Sequence, residues 1–224
     1  MFIGHYGVAL WLKKFDSKLS LGWLFLAVQL VDFFWSILVF FGIEKVTIVP
    51  GITEANPMDF VYYPFTHSLV AFIVWSSVIY LLVKILHFNS SLSKKSLGLL
   101  LGFAVFSHFL LDVIVHRPDL PLLGSDSFKL GLGLWNNVFF AYALETLIFV
   151  GGVYIYYKVK SPMAKSRKIG LLVFTVLLLI MNLINLFSVP PDNIKMIAVS
   201  GFMMYLLFSG FGFWLDKNLV SENS

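Results

Sequence analysis

An all-α, polytopic membrane protein of about six transmembrane helices, preceded by a short N-terminal half-helix, is what the sequence predicts. Three observations carry this. Hydrophobic residues make up 59% of the 224 and charged residues 12%, against about 25% charged in a soluble domain. Six apolar runs, near 21–43, 64–86, 96–116, 137–157, 169–188 and 194–215, each reach the ~20 residues that a span needs. The segments between them alternate between basic and non-basic. This composition, with a mean hydropathy of +0.88, excludes a soluble enzyme, a disordered chain and a nucleic-acid binder. Residues 1–224 read as a single integral membrane domain.

Taken in order, Met1 to Leu12 is apolar but reaches only ~18 Å as a helix, so it is a half-span or an interfacial helix. A basic turn with Lys13, Lys14 and Lys18 follows. The first full span ends at an acidic loop carrying Glu44, Glu54 and Asp59. Pro64 suits the start of the second span. Lys84, Lys94 and Lys95 surround the next turn. The loop after the third span mixes Arg117, Asp119, Asp126 and Lys129, and the loop at 158–168 is strongly basic. By the positive-inside rule the basic loops and both termini face the cytoplasm, and loops 44–63 and 117–136 face out. The formal charge of +4 is therefore an orientation signal. Asp192 and Asp216 read as ordinary helix-end residues, and 216–224 as a frayed polar tail. There are no cysteines, so thiolate metal sites and disulfides are absent.

Ionisable residues inside apolar runs are costly and face a protein interior or a wet cavity. Asp32 sits mid-run in the first span, His67 opens the second, and Glu145 is mid-run in the fourth. In the third, His108, Asp112 and His116 fall at i, i+4 and i+8 and share one helical face. Imidazole and carboxylate are good ligands for zinc and related divalent ions. Pro118 disfavours helix at Arg117 and turns the chain toward Asp119. Counted from the inner ends, Asp32, His108 and Glu145 lie roughly 17–18 Å up, and His5 about 12 Å if the N-terminal stretch dips inward. A polar pocket from midplane to outer leaflet follows, if these helices are adjacent.

Blander readings exist for each group. An intramembrane His or Asp can simply bond a neighbouring helix, and Asp119 can cap a turn. Gln29, Asp32 and Ser36 form one polar stripe, and Asn182 and Asn185 another that reads as packing glue. Gly98 and Gly102 read as a close-packing pair. Tyr62, Tyr63, Trp135, Tyr156 and Tyr157 read as interface anchors.

Gly4-His5, Asp32, Thr66-His67-Ser68 and the His108-to-Asp112 helix together resemble the membrane-bound metal-dependent hydrolase family, over roughly residues 1–120. These are small bacterial inner-membrane proteins, some described as DNA-damage-regulated. Where that family commonly carries Pro-Asp-x-Asp, this chain has Gln29-Leu30-Val31-Asp32. The resemblance implies a site of His5, Asp32, His67, His108 and Asp112.

The leading expectation is thus a membrane-embedded hydrolase using a divalent metal, zinc by preference, held by His67, His108 and Asp112. His5, Asp32 and His116 would complete or orient it. Glu145 or Asp119 would be the general base or a partner to an imidazole. A lipid or lipid-linked ester or phosphoester is the substrate class able to reach it. A proton-coupled transporter using the same acids and histidines, functioning as a homodimer, is the alternative; a non-catalytic membrane scaffold is the third.

Overall fold

The computed structural model describes residues 1–187 and 193–217. The end of the fifth apolar run, Asp192 and the tail beyond Lys217 lie outside them. The chain is mostly helical: α1 (Ile3–Leu12), α2 (Leu21–Val28), α3 (Leu30–Phe40), α4 (Pro64–His67), α5 (Leu69–Ile85), α6 (Lys94–Val115), α7 (Val138–Lys160), α8 (Lys165–Phe187) and α9 (Ile194–Asp216). Four of these, α6 to α9, are long and apolar enough to cross a membrane. The α2–α3 pair makes a fifth if counted as one span bent by 52°. These helices mark an integral membrane protein.

Two of the six predicted runs are broken. The first bends at Gln29, which is non-helical (φ −107°, ψ 8°). The second divides at Ser68, whose extended backbone ends the short α4 and whose hydroxyl caps α5 by accepting from Ala71 N. That leaves α5 with 17 residues. The loops at 44–63 and 117–136 are not plain coil. β1 (Lys45–Ile48) and β2 (Met58–Tyr62) form an antiparallel hairpin with an irregularity at Lys45/Val46, and β3 (Leu120–Pro121) pairs with β4 (Lys129–Leu130). The β-branched run Val46-Thr47-Ile48-Val49, followed by Pro50-Gly51, is the signal for the first.

Helix α6 is the axis of the bundle. Two-thirds (67%) of its apolar window is buried, against 22% for α7 and α8 and 28% for α9. The outer helices turn Leu147, Leu172, Val173 and Leu207 outward, as side chains bathed in lipid should be. On α6, Gly98 faces Tyr80 of α5, and Gly102 faces the Ser76 carbonyl. Small residues there let the two backbones approach.

The N-terminal stretch is no surface helix. Ile3, Tyr6, Ala9 and Leu10 are fully buried, and α1 packs against α7, α2 and α6. Gly7 of α1 and Gly152 of α7 meet backbone to backbone; a Cβ on either would overlap the other helix's main chain. The turn after α1 is pinned by Lys13, which is fully buried and ion-paired to Asp216. Asp216 also accepts from Leu21 N (2.7 Å) and the Tyr156 hydroxyl (2.7 Å). It is therefore a buried tie between α1, α2, α7 and α9, and not the start of a frayed tail.

Candidate metal centre

Four helices deliver the predicted ligands to one place. On α6, His108 and Asp112 stand one turn apart, with Nε2 3.1 Å from Oδ2. The break at Gln29 starts α3 so that Asp32 faces them; its Oδ1 lies 3.6 Å from His108 Nε2. The end of α4 places His67 Nε2 3.2 Å from Asp32 Oδ1 and 3.9 Å from Asp112 Oδ2. From α1, the His5 ring lies flat on that of His108, centroids 3.6 Å apart and planes within 5°. His5 Nε2 is 3.3 Å from Asp112 Oδ1, yet neither ring nitrogen of His5 makes a hydrogen bond. All but Asp32 are almost wholly buried.

The spacing fits a cation. Ligand atoms about 2.0–2.1 Å from a tetrahedral zinc ion are about 3.3–3.4 Å from each other. The separations linking Asp32 Oδ1, His67 Nε2, His108 Nε2 and Asp112 Oδ2 run from 3.1 to 3.9 Å. Two overlapping three-residue groups, His5–His108–Asp112 and Asp32–His67–His108, keep their ligand atoms within 4.8 Å of one another and share His108. The imidazole–carboxylate donor set and the unbonded His5 nitrogens suit a zinc-like ion.

Around the cluster, the partners of the imidazoles set their tautomers. His108 Nδ1 is 2.7 Å from the Val28 carbonyl, which only accepts, so Nδ1 carries the proton and Nε2 offers its lone pair. In an unbroken helix that carbonyl would be turned to the amide four residues on; the bend at Gln29 redirects it to His108. His67 Nδ1 is 2.7 Å from Thr66 Oγ1, which donates to Glu44 Oε2 at 2.6 Å. A hydroxyl has one proton to give, so here too Nδ1 carries the hydrogen. Glu44 also accepts from Phe65 N and Thr66 N, fixing the α4 N-terminus. Burial pushes the Glu44 carboxyl up, against the hydrogen bonds from Thr66.

His116 stands farther out, Nε2 4.0 Å from Asp112 Oδ2, between Trp135 and Phe60. Its Nδ1 is bonded to Asp119 Oδ1 at 2.9 Å. Asp119 also accepts from the Tyr63 hydroxyl (3.0 Å) and Arg117 Nε (3.1 Å). Burial opposes its ionisation, but the bonds from His116, Tyr63 and Arg117 prevail and hold its carboxyl below the usual range. Of the two roles open to Asp119, the geometry matches partner to an imidazole. Glu145 is placed differently. Its Oε2 accepts from Phe2 N (2.9 Å) and Ile3 N (3.0 Å), capping the start of α1, where a carboxylate meets the positive end of the helix. The Met1 amino group bonds Asp112 Oδ1 at 2.7 Å.

A cavity of about 380 Å³ opens onto the cluster, lined by Asp32, His67, His108, Asp112, His116 and Glu145 together with Trp35, Tyr142, Asn182 and Tyr205. The Tyr205 hydroxyl reaches Asp32 Oδ2 at 3.4 Å. Glu44, Val28 and Tyr205 carry no local signal in sequence, being brought in by chain breaks and a distant helix. Thr66 did carry one, beside His67.

Thr66→Val keeps the shape at that position but removes the bond that orients His67. Loss of such a partner costs about 10–100-fold in metal affinity, so competition with a chromophoric chelator should show zinc held at least tenfold more weakly. Unchanged affinity would mean that His67 needs no such support.

Compared with family models, characterised proteins and solved structures, the chain matches none.

Proposed function

We propose that this protein is a metal-dependent hydrolase of a bacterial inner membrane acting on a lipid-derived ester, as its resemblance to the membrane-bound metal-dependent hydrolase family implies. The observation that supports the reading best is the set of four ligand atoms from three helical segments, spaced as the corners of one coordination shell and facing a cavity. Asp32, His67, His108 and Asp112 hold the ion, with His5 beside them. A divalent cation bound there supplies Lewis acidity to a carbonyl or phosphoryl oxygen and lowers the pKa of a water toward ~7. Asp119, Thr66 and Val28 keep the imidazole lone pairs aimed inward. Glu145 has an oxygen beyond its helix-capping bonds that can take a proton within the same cavity.

A second cavity of about 240 Å³, lined by apolar side chains of α2, α3 and α5, shares Tyr205 with the first. It suits a hydrocarbon tail. In the membrane, the bent α2–α3 and the α4–α5 pair count as one span each, giving six, with both termini and the 158–168 loop inside and the two hairpin loops outside.

The test is metal analysis of the purified protein with a lipid ester and phosphoester panel. About one zinc-like ion per chain, hydrolysis abolished by EDTA and restored by zinc, and loss of both in His108→Ala are expected. Absence of an ion from wild type would end the reading. The transporter reading draws on the bend at Gln29, since broken helices meeting at acidic groups are a mark of transporters. Proteoliposome flux without hydrolysis, lost in Asp32→Asn, would favour it.

A further inference from the structure

Two buried hydrogen-bond donors in the main cavity have nothing to bond. Trp35 on α3 is 6% exposed and its indole Nε1–H has no partner; Asn182 on α8 is 4% exposed and its amide Nδ2 has none. Both line the cavity that holds the ligand cluster, as does Tyr142, whose hydroxyl is also unpartnered. Buried donors without acceptors are costly and rare. Asn182, read from sequence as packing glue, bonds no neighbouring helix through that nitrogen. These donors serve nothing in the fold, and all of them point to a ligand rich in acceptor oxygens.

Charge narrows that ligand. No lysine or arginine side chain lines the cavity among the described residues, while Asp32, Asp112 and Glu145 do. Phosphate heads are met by arginine forks or lysines; here the three carboxylates already balance a divalent ion and the Met1 amino group, which is paired to Asp112, and leave no net positive charge for a phosphate head. Neutral N–H and O–H donors suit hydroxyl, ether and ester oxygens.

We propose that the cavity selects amphiphiles with an uncharged, oxygen-rich head, a glycerol or sugar ester being the type, and that Trp35 and Asn182 are its specificity-determining residues. This deepens the hydrolase reading by naming the carboxylic-ester class over the phosphoester; head recognition itself stands on the unpartnered donors. The carbon skeleton of the head packs against an aromatic wall in which Phe60 lies between Trp35, 6.1 Å away, and Trp135, 6.3 Å away.

The experiment titrates 1-monooctanoylglycerol and octyl phosphate, which share a tail, into the zinc-loaded protein in phosphatidylcholine nanodiscs, read by calorimetry. The glycerol compound should bind at least about tenfold more tightly. Trp35→Phe and Asn182→Leu should each weaken it about fivefold, the loss of one hydrogen bond, and leave octyl phosphate unaffected. Because neither donor is bonded within the fold, Asn182→Leu should melt at or above the wild-type temperature, whereas Trp35→Phe gives up part of a buried ring and is judged on affinity alone. Tighter binding of octyl phosphate, wild-type affinity in both variants, or a melting temperature of Asn182→Leu that falls with its binding would each overturn the assignment. Glycerol-head binding without turnover would defeat the hydrolase reading and leave this one standing; preferential turnover of phosphate esters would do the reverse.

Discussion

Asp112→Ala should empty the metal centre. Both oxygens of this carboxylate are engaged: Oδ1 faces His5 and the Met1 amino group, and Oδ2 faces His67, His108 and His116. With His108, which the two three-residue groups share, it ties the His5 side of the cluster to the His67 side. Its loss removes a ligand and the negative charge that offsets the ion, so metal content should drop from about one ion per chain to below about a tenth. Hydrolysis should fall by about 10³-fold or more, since a bound cation is worth several kcal/mol and each 1.36 kcal/mol is tenfold. Asp112→Glu should rescue neither, because the added methylene drives the carboxylate into His67 and His108. His116→Ala, at the rim, should cost less than either. Metal analysis and turnover of the three variants decide this; a metal-replete Asp112→Ala would show that Asp112 merely pairs with its neighbours.

Gly152→Val should disable the centre without touching a ligand. A side chain at 152 has no room, because the backbone of Gly7 occupies it. Forcing α1 off α7 would carry His5 away from His108 and break the caps that Glu145 places on Phe2 N and Ile3 N. Overpacking of this kind costs about 1–3 kcal/mol, and the lost caps add about 1 kcal/mol. The melting temperature and zinc affinity should fall together. Gly151→Val is the control: its Cβ would meet nothing within 4 Å, so it should melt and bind metal as wild type. Equal behaviour of the two variants would show that the α1–α7 contact is not close enough to matter.

The convergence of the site is only partly written in local sequence. The i, i+4, i+8 spacing puts His108, Asp112 and His116 on one face of α6, because helix geometry alone decides that. Gly98 and Gly102 mark the face of α6 that meets α5 for the same reason. The bend at Gln29 has no Gly or Pro to announce it; it follows from tertiary packing, and with it goes the role of the Val28 carbonyl. Glu44 lies 22 residues from Thr66, too far for any periodicity to connect them. Glu145 appears in sequence as one more acid in a span, and only the arrival of α1 beside α7 gives it backbone amides to cap. Asp216 fell at a hydrophilic chain end, where composition favours fraying, yet the buried ammonium of Lys13 requires a carboxylate there.

One imidazole of the cluster is aimed by main chain alone. The proton on His108 is placed by a carbonyl, and every residue type has a carbonyl. An alanine substitution at position 28 would therefore report only the loss of a fully buried side chain and leave the aim of the His108 ring untouched. Only a change that straightens the kink could reach the ring from that side.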